Sequence, residues 1–417
     1  MIKPFWLRKI YWNAKAYSAN LRYGFPAKDL NLVGITGTNG KTTSCYFMDS
    51  ILTTANFKVA RMTTIDYRLN DTPHPNPVHL TSFAPMQLQK FLSQAVSKKI
   101  DWTVLELSSH GLAQNRAWGL KLKTAAITYI SREHLDFHGN VKEYIKAKAK
   151  IIDLIEDDGF LVLNRDYKSF NEIKPLSNKR IITFGILRGD IKANNIEYKA
   201  SGSNFLLNTP KGNLRVSLNI PGRFNVYNAL CAAALAYCLG IELEVIRQGL
   251  EAMDYVPGRM EEIENNKGSF RVIVDYVHTP DSLALVLEEL KQIIKGRLII
   301  VFGMPGERDT TNRPLMGQMA DKSANIVIIT DENPRHEKSM DIINQIAQGV
   351  KNKKMGKDLF KILDRKEAIK KAFSLAQAHD LVLIAGKGPE NYIEFADKTI
   401  EWDDRLVAKK LLKKSNL

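Results

Sequence analysis

Apolar and polar positions change their period repeatedly along this chain. An apolar run (Leu30, Leu32, Val33, Ile35) stops at a Gly/Thr/Asn turn, and Lys41-Thr42-Thr43 opens a helical pattern from Cys45 to Leu52. That predicts strand, glycine-rich loop, helix. The alternation continues: residues 101–107, 124–130, 160–164 and 180–184 read as buried strands. Residues 190–220 read as short strands separated by turn residues, and 225–239 as an Ala/Leu-rich helix. Residues 253–257 look like a boundary. Beyond it, strands at 270–275, 297–302, 325–330 and 380–385 alternate with helices. No internal repeat or low-complexity segment interrupts the pattern.

The first 28 residues stand apart. Trp6, Ile10, Tyr11, Ala14, Tyr17 and Leu21 recur at helical spacing among Lys3, Arg8, Lys9, Lys15 and Arg22. Packing on its own domain is the ordinary use of such a helix; contact with a membrane surface is the other.

Composition adds bounds. The 417 residues suffice for two or three domains, and 44% hydrophobic with 25% charged residues is ordinary for a soluble protein. No apolar run has membrane-spanning length, and no apolar stretch leads to a small-residue cleavage site, so a cytoplasmic protein is expected. Three cysteines without a CxxC pair argue against a disulfide framework or a zinc site; Cys231 and Cys238 are expected in the core. The net charge of +15 comes with no nucleic-acid motif, so Lys/Arg-rich helical stretches read as solvated faces.

The glycine loop carries the first chemistry. Gly37-Thr38-Asn39-Gly40 lets backbone N–H groups approach phosphates; Lys41 adds a charge and Thr42 a hydroxyl for Mg²⁺. Nucleoside triphosphate binding follows, and with it a P-loop domain. Ile35 stands where the general P-loop pattern wants a small residue. Glu106 ends a neighbouring strand, a usual place for a carboxylate that holds Mg²⁺. His134, Asp136 and His138 follow the next strand and suit a metal or phosphate, although such residues also cap helices. In the second domain, Asp275 to Asp281, Gly303 to Asp309, Asp331 to Arg335 and Gly386 to Glu390 each follow an apolar strand. Four polar strand ends on one side of a parallel sheet make a ligand crevice. The predicted fold class is therefore α/β: a P-loop central domain with a mostly parallel sheet, plus a C-terminal Rossmann-like α/β domain.

With these motifs in order, the chain resembles the Mur ligase family, the ATP-dependent amide-forming ligases of peptidoglycan synthesis. The likeness covers roughly residues 30–405. It rests on Gly34 to Thr43, which matches the family's own P-loop and accounts for Ile35, and on Glu106 to Arg116, Glu133 to Lys148, Pro257 to Glu261, Asp275 to Asp281 and Asp331 to Arg335. Within the family it looks most like the branch that adds the third amino acid to UDP-N-acetylmuramoyl-dipeptide. The implied domains are a basic aromatic segment 1–28, an ATP-binding domain 29–256, and a domain 257–417 for the incoming amino acid. Relatives carry an N-terminal UDP-binding domain where this sequence has about 28 residues.

The resemblance implies that ATP phosphorylates a substrate carboxylate and that an amine then displaces phosphate. Gly37, Thr38, Asn39, Gly40, Lys41, Thr42, Thr43, Asn228, Arg259, Asp275 and His278 fall at ATP positions. Thr42, Glu106, His134 and a carbamylated Lys148 fall at Mg²⁺ positions; Lys41, Glu106, His134 and Lys148 form the implied catalytic set. Thr81, Ser82, Ser108, Gln114 and Arg116 would meet the nucleotide-linked muramoyl-dipeptide. Arg308, Asn333, Arg335, Gly386 and Glu390 would meet the amino acid. An Arg at 335 suits the distal carboxylate of meso-diaminopimelate and would repel lysine. Departures from the family pattern cluster around substrate: Ser82-Phe83 after Thr81, Met304-Pro305, and Pro389. Other readings are a Mur-like ligase with a non-UDP acceptor, lipid-linked or folylpolyglutamate-like, and a nucleotide-binding subunit that needs a partner. The chain is expected to be a monomer without nucleic acid, residues 1–28 being the candidate membrane contact.

Overall fold

A computed structural model describes residues 5–70, 72–76, 81–131, 133–199, 201–265 and 270–414, apart from the side chains of residues 5, 6, 135, 136 and 414. Trp6 and Asp136, singled out above, thus lie outside the described side chains, and Lys3 outside the described residues. The chain forms two compact units, Met1–Asp254 and Tyr255–Leu417.

The strands of the first unit are β1 (Asn31–Thr36), β2 (Val59–Met62), β3 (Asp66–Leu69), β4 (Thr72–Pro75), β5 (Trp102–Glu106), β6 (Leu122–Ile127), β7 (Ile155–Asn164), β8 (Arg180–Gly185), β9 (Ile191–Lys199), β10 (Gly202–Thr209) and β11 (Gly212–Leu218). They form one sheet in the order β11-β10-β9-β8-β7-β6-β1-β5-β2-β3-β4. From β9 through β2 neighbours run parallel; β2-β3-β4 and β9-β10-β11 are antiparallel extensions. β1 sits at the centre, which is why Leu32, Val33 and Ile35 are all fully buried: a parallel strand covered on both faces reads as an unbroken apolar run.

The helices are α1 (Phe5–Arg22), α2 (Lys41–Thr54), α3 (Pro85–Ser97), α4 (Ser109–Ala113), α5 (Leu135–His138), α6 (Val141–Ala149), α7 (Ser169–Ile173), α8 (Arg223–Cys238) and α9 (Leu243–Glu251). α2 packs on α8 and α9. α8 is apolar all round and buried for most of its length, as an Ala/Leu-rich helix must be. Cys231 is buried there, but Cys238 is only half-buried, because it lies in the helix's last turn, where the chain returns to the surface.

The second unit holds β12 (Glu261–Ile263), β13 (Arg271–Asp275), β14 (Leu298–Phe302), β15 (Ile326–Ile329), β16 (Leu359–Lys361) and β17 (Leu381–Ala385) in the order β12-β13-β17-β14-β15-β16. All pairs are parallel except β12–β13. Its core joins Val272, Val274, Val301, Ile328, Val382 and Ile384 to Ala368, Ile369 and Phe373 of the helix Arg365–Leu375. A hairpin, β18 (Tyr392–Glu394) and β19 (Thr399–Glu401), follows β17.

Candidate active site

In the first unit the chemistry gathers at the C-terminal ends of β1, β5 and β6. β1 delivers the loop 37–40, and α2 begins at Lys41 with Gly40 as its left-handed N-cap. A Cβ on Gly37, whose φ is +149°, would stand 1.8 Å from Thr128 Oγ1; one on Gly40 would stand 2.3 Å from Asn228 Oδ1. Only glycine allows the loop to lie this close to the sheet and to α8. The loop is tied in place on its far side. Thr38 N–H donates to the Tyr129 carbonyl at 2.8 Å, and Thr128 Oγ1 donates to the Asn39 carbonyl at 2.7 Å. Asn39 Nδ2 donates to Tyr129 Oη at 3.0 Å, and Lys41 Nζ to the Thr38 carbonyl at 2.8 Å. Thr43 is buried in the first turn of α2. Asn228 Nδ2 donates to Asn225 Oδ1 at 3.1 Å within α8.

Glu106 ends β5 in register with Ile35 of β1, so the topology sets its carboxylate beside the loop. It is buried and accepts three hydrogen bonds at 2.9 Å: from Thr42 Oγ1, Thr64 N–H and Thr64 Oγ1. Thr64 follows β2 and has no prominent sequence signal beyond a Thr-Thr pair after a short apolar run; the reading of the sequence missed it.

Lys148 is the largest departure from a solvated Lys-rich helix. Lys142 and Lys146 of α6 are exposed, whereas Lys148 is buried, with Nζ donating to the Gly37 carbonyl at 2.5 Å and lying 4.6 Å from the centre of the Tyr144 ring. Burial first, then the charge on Lys41, pushes its pKa well below the ordinary lysine value. Tyr144 links this pocket to its neighbours: its hydroxyl lies 3.2 Å from Thr38 Oγ1 and donates to Glu133 at 3.2 Å. His134 is exposed with a left-handed φ of +55°. Its ring contacts His110 and Tyr144, and Nε2 lies 3.8 Å from Glu133. Thr42, Glu106 and the loop thus form one bonded group with Lys148, while His134 borders it through Tyr144.

The predicted acceptor residues form a second bonded group. Ser108 caps α4 by accepting from Gly111 N–H, and its own N–H donates to Ser82 Oγ at 2.8 Å. Arg116 donates to the Ser82 carbonyl at 2.8 Å and, through Nε and Nη2, to Gln114 Oε1. Thr81 precedes Ser82 in the same bend.

In the second unit, residues after β13, β14, β15 and β17 line one end of the sheet. Asp275 accepts from Met260 and Val277 N–H groups; burial raises its pKa against the pull of Arg259. Arg259 lies 4.5 Å from the Tyr276 ring centre, and His278 Nδ1 is 2.9 Å from the Tyr276 carbonyl. Asn333 Nδ2 donates to Glu390 at 3.1 Å, while its Oδ1 accepts from Lys387 Nζ and Glu394 N–H. Lys387 also pairs with Glu390 at 2.9 Å. Arg335 Nε donates to Glu394 at 3.0 Å and Nη1 to the Gly306 carbonyl at 3.1 Å. Gly386 sits at φ +105°, where a Cβ would stand 3.0 Å from Glu332 Oε2. That oxygen is buried without a hydrogen-bond partner among the described residues, and burial pushes the Glu332 carboxyl up to about 7. Arg308 lies on the exposed part of its loop, and the described contacts do not join it to Asn333 or Arg335. Lys387 and Glu332 lie inside two of the strand-end motifs that the sequence singles out, but the sequence reading gave neither of them a role.

No group of three or more metal-ligating side chains is preassembled among the described residues. The oxygen donors of Thr42 and Glu106 nonetheless fit Mg²⁺, a hard cation that keeps much of its water and takes few protein ligands. The Lys148 ammonium does not; a carbamate on the same nitrogen would.

The family profile of the Mur ligase middle domain matches residues 35–236, and that of the Mur ligase glutamate ligase domain matches residues 258–388. The UDP-N-acetylmuramoyl-L-alanyl-D-glutamate–2,6-diaminopimelate ligase 1 of Clostridium acetobutylicum is 39% identical over 394 residues, which is 94% of this chain and 80% of that one. The corresponding ligase of Caldanaerobacter subterraneus is also 39% identical, over 403 residues, with 96% and 82% covered. A solved structure of such a diaminopimelate ligase aligns with a TM-score of 0.64 at 32% identity, covering 92% of this chain and 78% of that one. The folylpolyglutamate synthase of Mycobacterium tuberculosis, solved with ADP, shares the fold at a TM-score of 0.74 and 17% identity, covering 89% and 91%.

Proposed function

This chain belongs to the Mur ligase family, ATP-dependent and ADP-forming amide ligases, and we propose that it joins meso-diaminopimelate to UDP-N-acetylmuramoyl-L-alanyl-D-glutamate as a monomer in the cytoplasm. The observation that carries the ligase reading is the burial of the Lys148 amine against the Gly37 carbonyl, next to Glu106 and Lys41. A binding module has no use for a buried lysine under its phosphate loop.

A free carboxylate is a poor electrophile and must be activated. One carboxylate oxygen of the dipeptide attacks the γ-phosphorus of ATP, the bond to the β-phosphate oxygen breaks, and acyl phosphate and ADP result. The amine of the incoming amino acid then adds to the acyl carbon, and collapse of the tetrahedral intermediate expels phosphate. Both reactants of the first step are anions. Residues 37–43 cradle the phosphates with backbone N–H groups, and Lys41 turns from the Thr38 carbonyl to the phosphates. Asn228, beside Gly40, and Arg259, Asp275 and His278 of the second unit are the further residues that the family resemblance assigns to the nucleotide. Mg²⁺, when bound, supplies positive charge that screens the approach of the two anions. Thr42 and Glu106 would hold it, with His134 and Lys148 as the carbamate. A lysine that loses its proton easily reacts with CO₂: the ammonium releases one proton, the free amine forms the N–C bond as one C=O π bond opens, a second proton leaves nitrogen, and a cation has become an oxyanion.

Ser82, Ser108, Gln114 and Arg116 form one hydrogen-bonded wall and, with Thr81, receive the muramoyl-dipeptide. Asn333, Arg335, Gly386 and Glu390 receive the amino acid, with Arg308 reaching it from its loop; Glu390 and Glu332 face its ammonium and Arg335 its distal carboxylate.

The test is direct. Purified chain is incubated with ATP, Mg²⁺, UDP-N-acetylmuramoyl-L-alanyl-D-glutamate and single amino acids. Phosphate release that requires both the nucleotide and meso-diaminopimelate is expected. Absence of turnover with any UDP-linked acceptor rejects the reading.

A further inference from the structure

α1 has two opposed faces. Ala16, Ala19 and Asn20 are buried, Trp12 and Tyr23 half-buried, and this face packs on α3. Asn20 Nδ2 fixes it further by donating to the Trp118 carbonyl at 3.0 Å. The expectation that the helix packs on its own domain is therefore met, but it uses only half of the helix. At 100° per residue, Leu7, Ile10, Tyr11, Ala14, Tyr17 and Leu21 fall on the opposite side. They stay in solvent: Ile10 is 59% exposed, Tyr11 61% and Leu21 61%. Tyr17 leans on Trp118, itself 40% exposed, with ring centres 5.6 Å apart, so the apolar strip continues onto the body of the unit.

Charge says what covers this strip. Arg8, Lys15 and Arg22 recur every seven residues and so form one row along its edge, and α1 contains no acidic residue. A second copy docking strip to strip would oppose these rows with no carboxylate to neutralise them. An anionic lipid surface meets both features: headgroups pair with the row of cations, while Ile10, Tyr11, Tyr17, Leu21 and Trp118 enter the acyl boundary, where amphipathic aromatic rings are favoured. The helix lies flat, since it is not apolar enough to cross.

We propose that α1 is an interfacial anchor that holds this protein on anionic membranes through the strip Leu7–Leu21 and the flanking row Arg8, Lys15 and Arg22. The proposal does not depend on which acceptor the ligase uses.

The intact chain is sedimented with vesicles of phosphatidylcholine alone and with phosphatidylglycerol added. Binding to the anionic vesicles is expected to be at least about tenfold tighter and to weaken with salt. The exposed double variant Ile10→Ser/Leu21→Ser is expected to lose about tenfold or more in vesicle binding while keeping the parent's melting temperature. Arg8→Gln/Lys15→Gln/Arg22→Gln is expected to abolish the preference for anionic lipid. A folded chain that does not bind anionic vesicles, or binding that both variants retain, overturns the proposal. A dimer in sedimentation velocity that Ile10→Ser/Leu21→Ser dissolves, without lipid binding by the parent, assigns the strip to self-association and overturns it too.

Discussion

Lys148 Nζ donates to the main-chain carbonyl of Gly37, bridging 111 positions of sequence to put an amine directly beneath the phosphate loop. The bond holds the lysine in a place where desolvation and Lys41 both disfavour its charge. An amine so placed gives up its proton more readily than an ordinary lysine, which is the condition for the carbamate proposed above.

Lys148→Ala is expected to lower turnover by at least about a hundredfold, with partial recovery on adding formate or acetate, small carboxylates that refill the oxyanion position. Turnover unaffected by the substitution rejects the role of Lys148; loss without rescue rejects the carbamate. Stability gives an independent reading. A lysine whose folded pKa is depressed binds fewer protons in the fold than in the unfolded chain, so its contribution grows as pH rises from the depressed value towards the ordinary lysine range. Lys148→Met should flatten urea-unfolding stability over that window.

Thr64 places two of the three hydrogen bonds on Glu106, one from its side chain. Thr64→Val keeps the size and the backbone donor but removes the hydroxyl. The expected result is an increase of about 10–100-fold in the Mg²⁺ concentration needed for half-maximal rate, the range for groups that orient a metal's ligands, with ATP KM changed less. An unchanged Mg²⁺ requirement would show that Glu106 keeps its position without Thr64.

Gly37→Ala tests the close approach of loop and sheet. The new methyl would overlap Thr128 Oγ1, so nucleotide binding should fall beyond detection by calorimetry. Thr128→Ala removes the obstructing oxygen, at a cost of about 1 kcal/mol for the bond to the Asn39 carbonyl. Gly37→Ala/Thr128→Ala should therefore bind ATP better than Gly37→Ala alone. If the double variant is no better, the left-handed backbone and not the overlap limits the site.

The strands that carry this chemistry were legible because they are buried on both faces and read as apolar runs; β1, β6, β13, β14, β15 and β17 fall where the pattern places them. The β3–β4 extension was not. Asp66–Leu69 and Thr72–Pro75 are short, polar and proline-bearing, half-buried at best beyond Asp66, and so leave no periodic signal. Thr64 was lost with them. Lys148 shows the opposite case. Composition makes α6 a solvated helix, but Lys148 shares the face of Tyr144 and Ile145, four and three positions away, and that face is buried. The helical period carried the information; the count of lysines concealed it. Lys387 is buried against Asn333, a partner from another strand end 54 positions away, as well as against Glu390 on its own loop, and the distant partner is brought there only by the fold.

Glu332 makes the second unit pH-sensitive. Its carboxyl is raised from 4.5 to about 7, chiefly by burial. The folded state therefore holds a proton that the unfolded chain releases, and this contribution is complete below about pH 4.5 and lost as pH rises through about 7. Glu332→Gln keeps the shape without the charge. It should be more stable than the parent at pH 8 by up to about 3 kcal/mol, taking 1.36 kcal/mol per pKa unit as the upper bound, and equal to it near pH 4. Equal stabilities at both pH values in urea titration would show that Glu332 ionises normally.

Arg335 is anchored at both ends of its guanidinium, to Glu394 and to the Gly306 carbonyl, and its backbone is left-handed at φ +53°. Two fixed bonds orient the planar group before any ligand arrives, so little freedom is lost on binding a distal carboxylate. Arg335→Lys keeps the charge but cannot keep both anchors and still offer a fork. It should raise the KM for meso-diaminopimelate by about tenfold or more, as expected for loss of a bidentate charge-assisted pair, while ATP KM stays within about twofold. Arg335→Ala should raise it further and relax discrimination against lysine, because the repulsive cation is gone. Initial-rate measurements with both amino acids decide the matter: an unchanged amino-acid KM in Arg335→Ala removes Arg335 from the binding site, and a KM change confined to ATP reassigns it to the nucleotide.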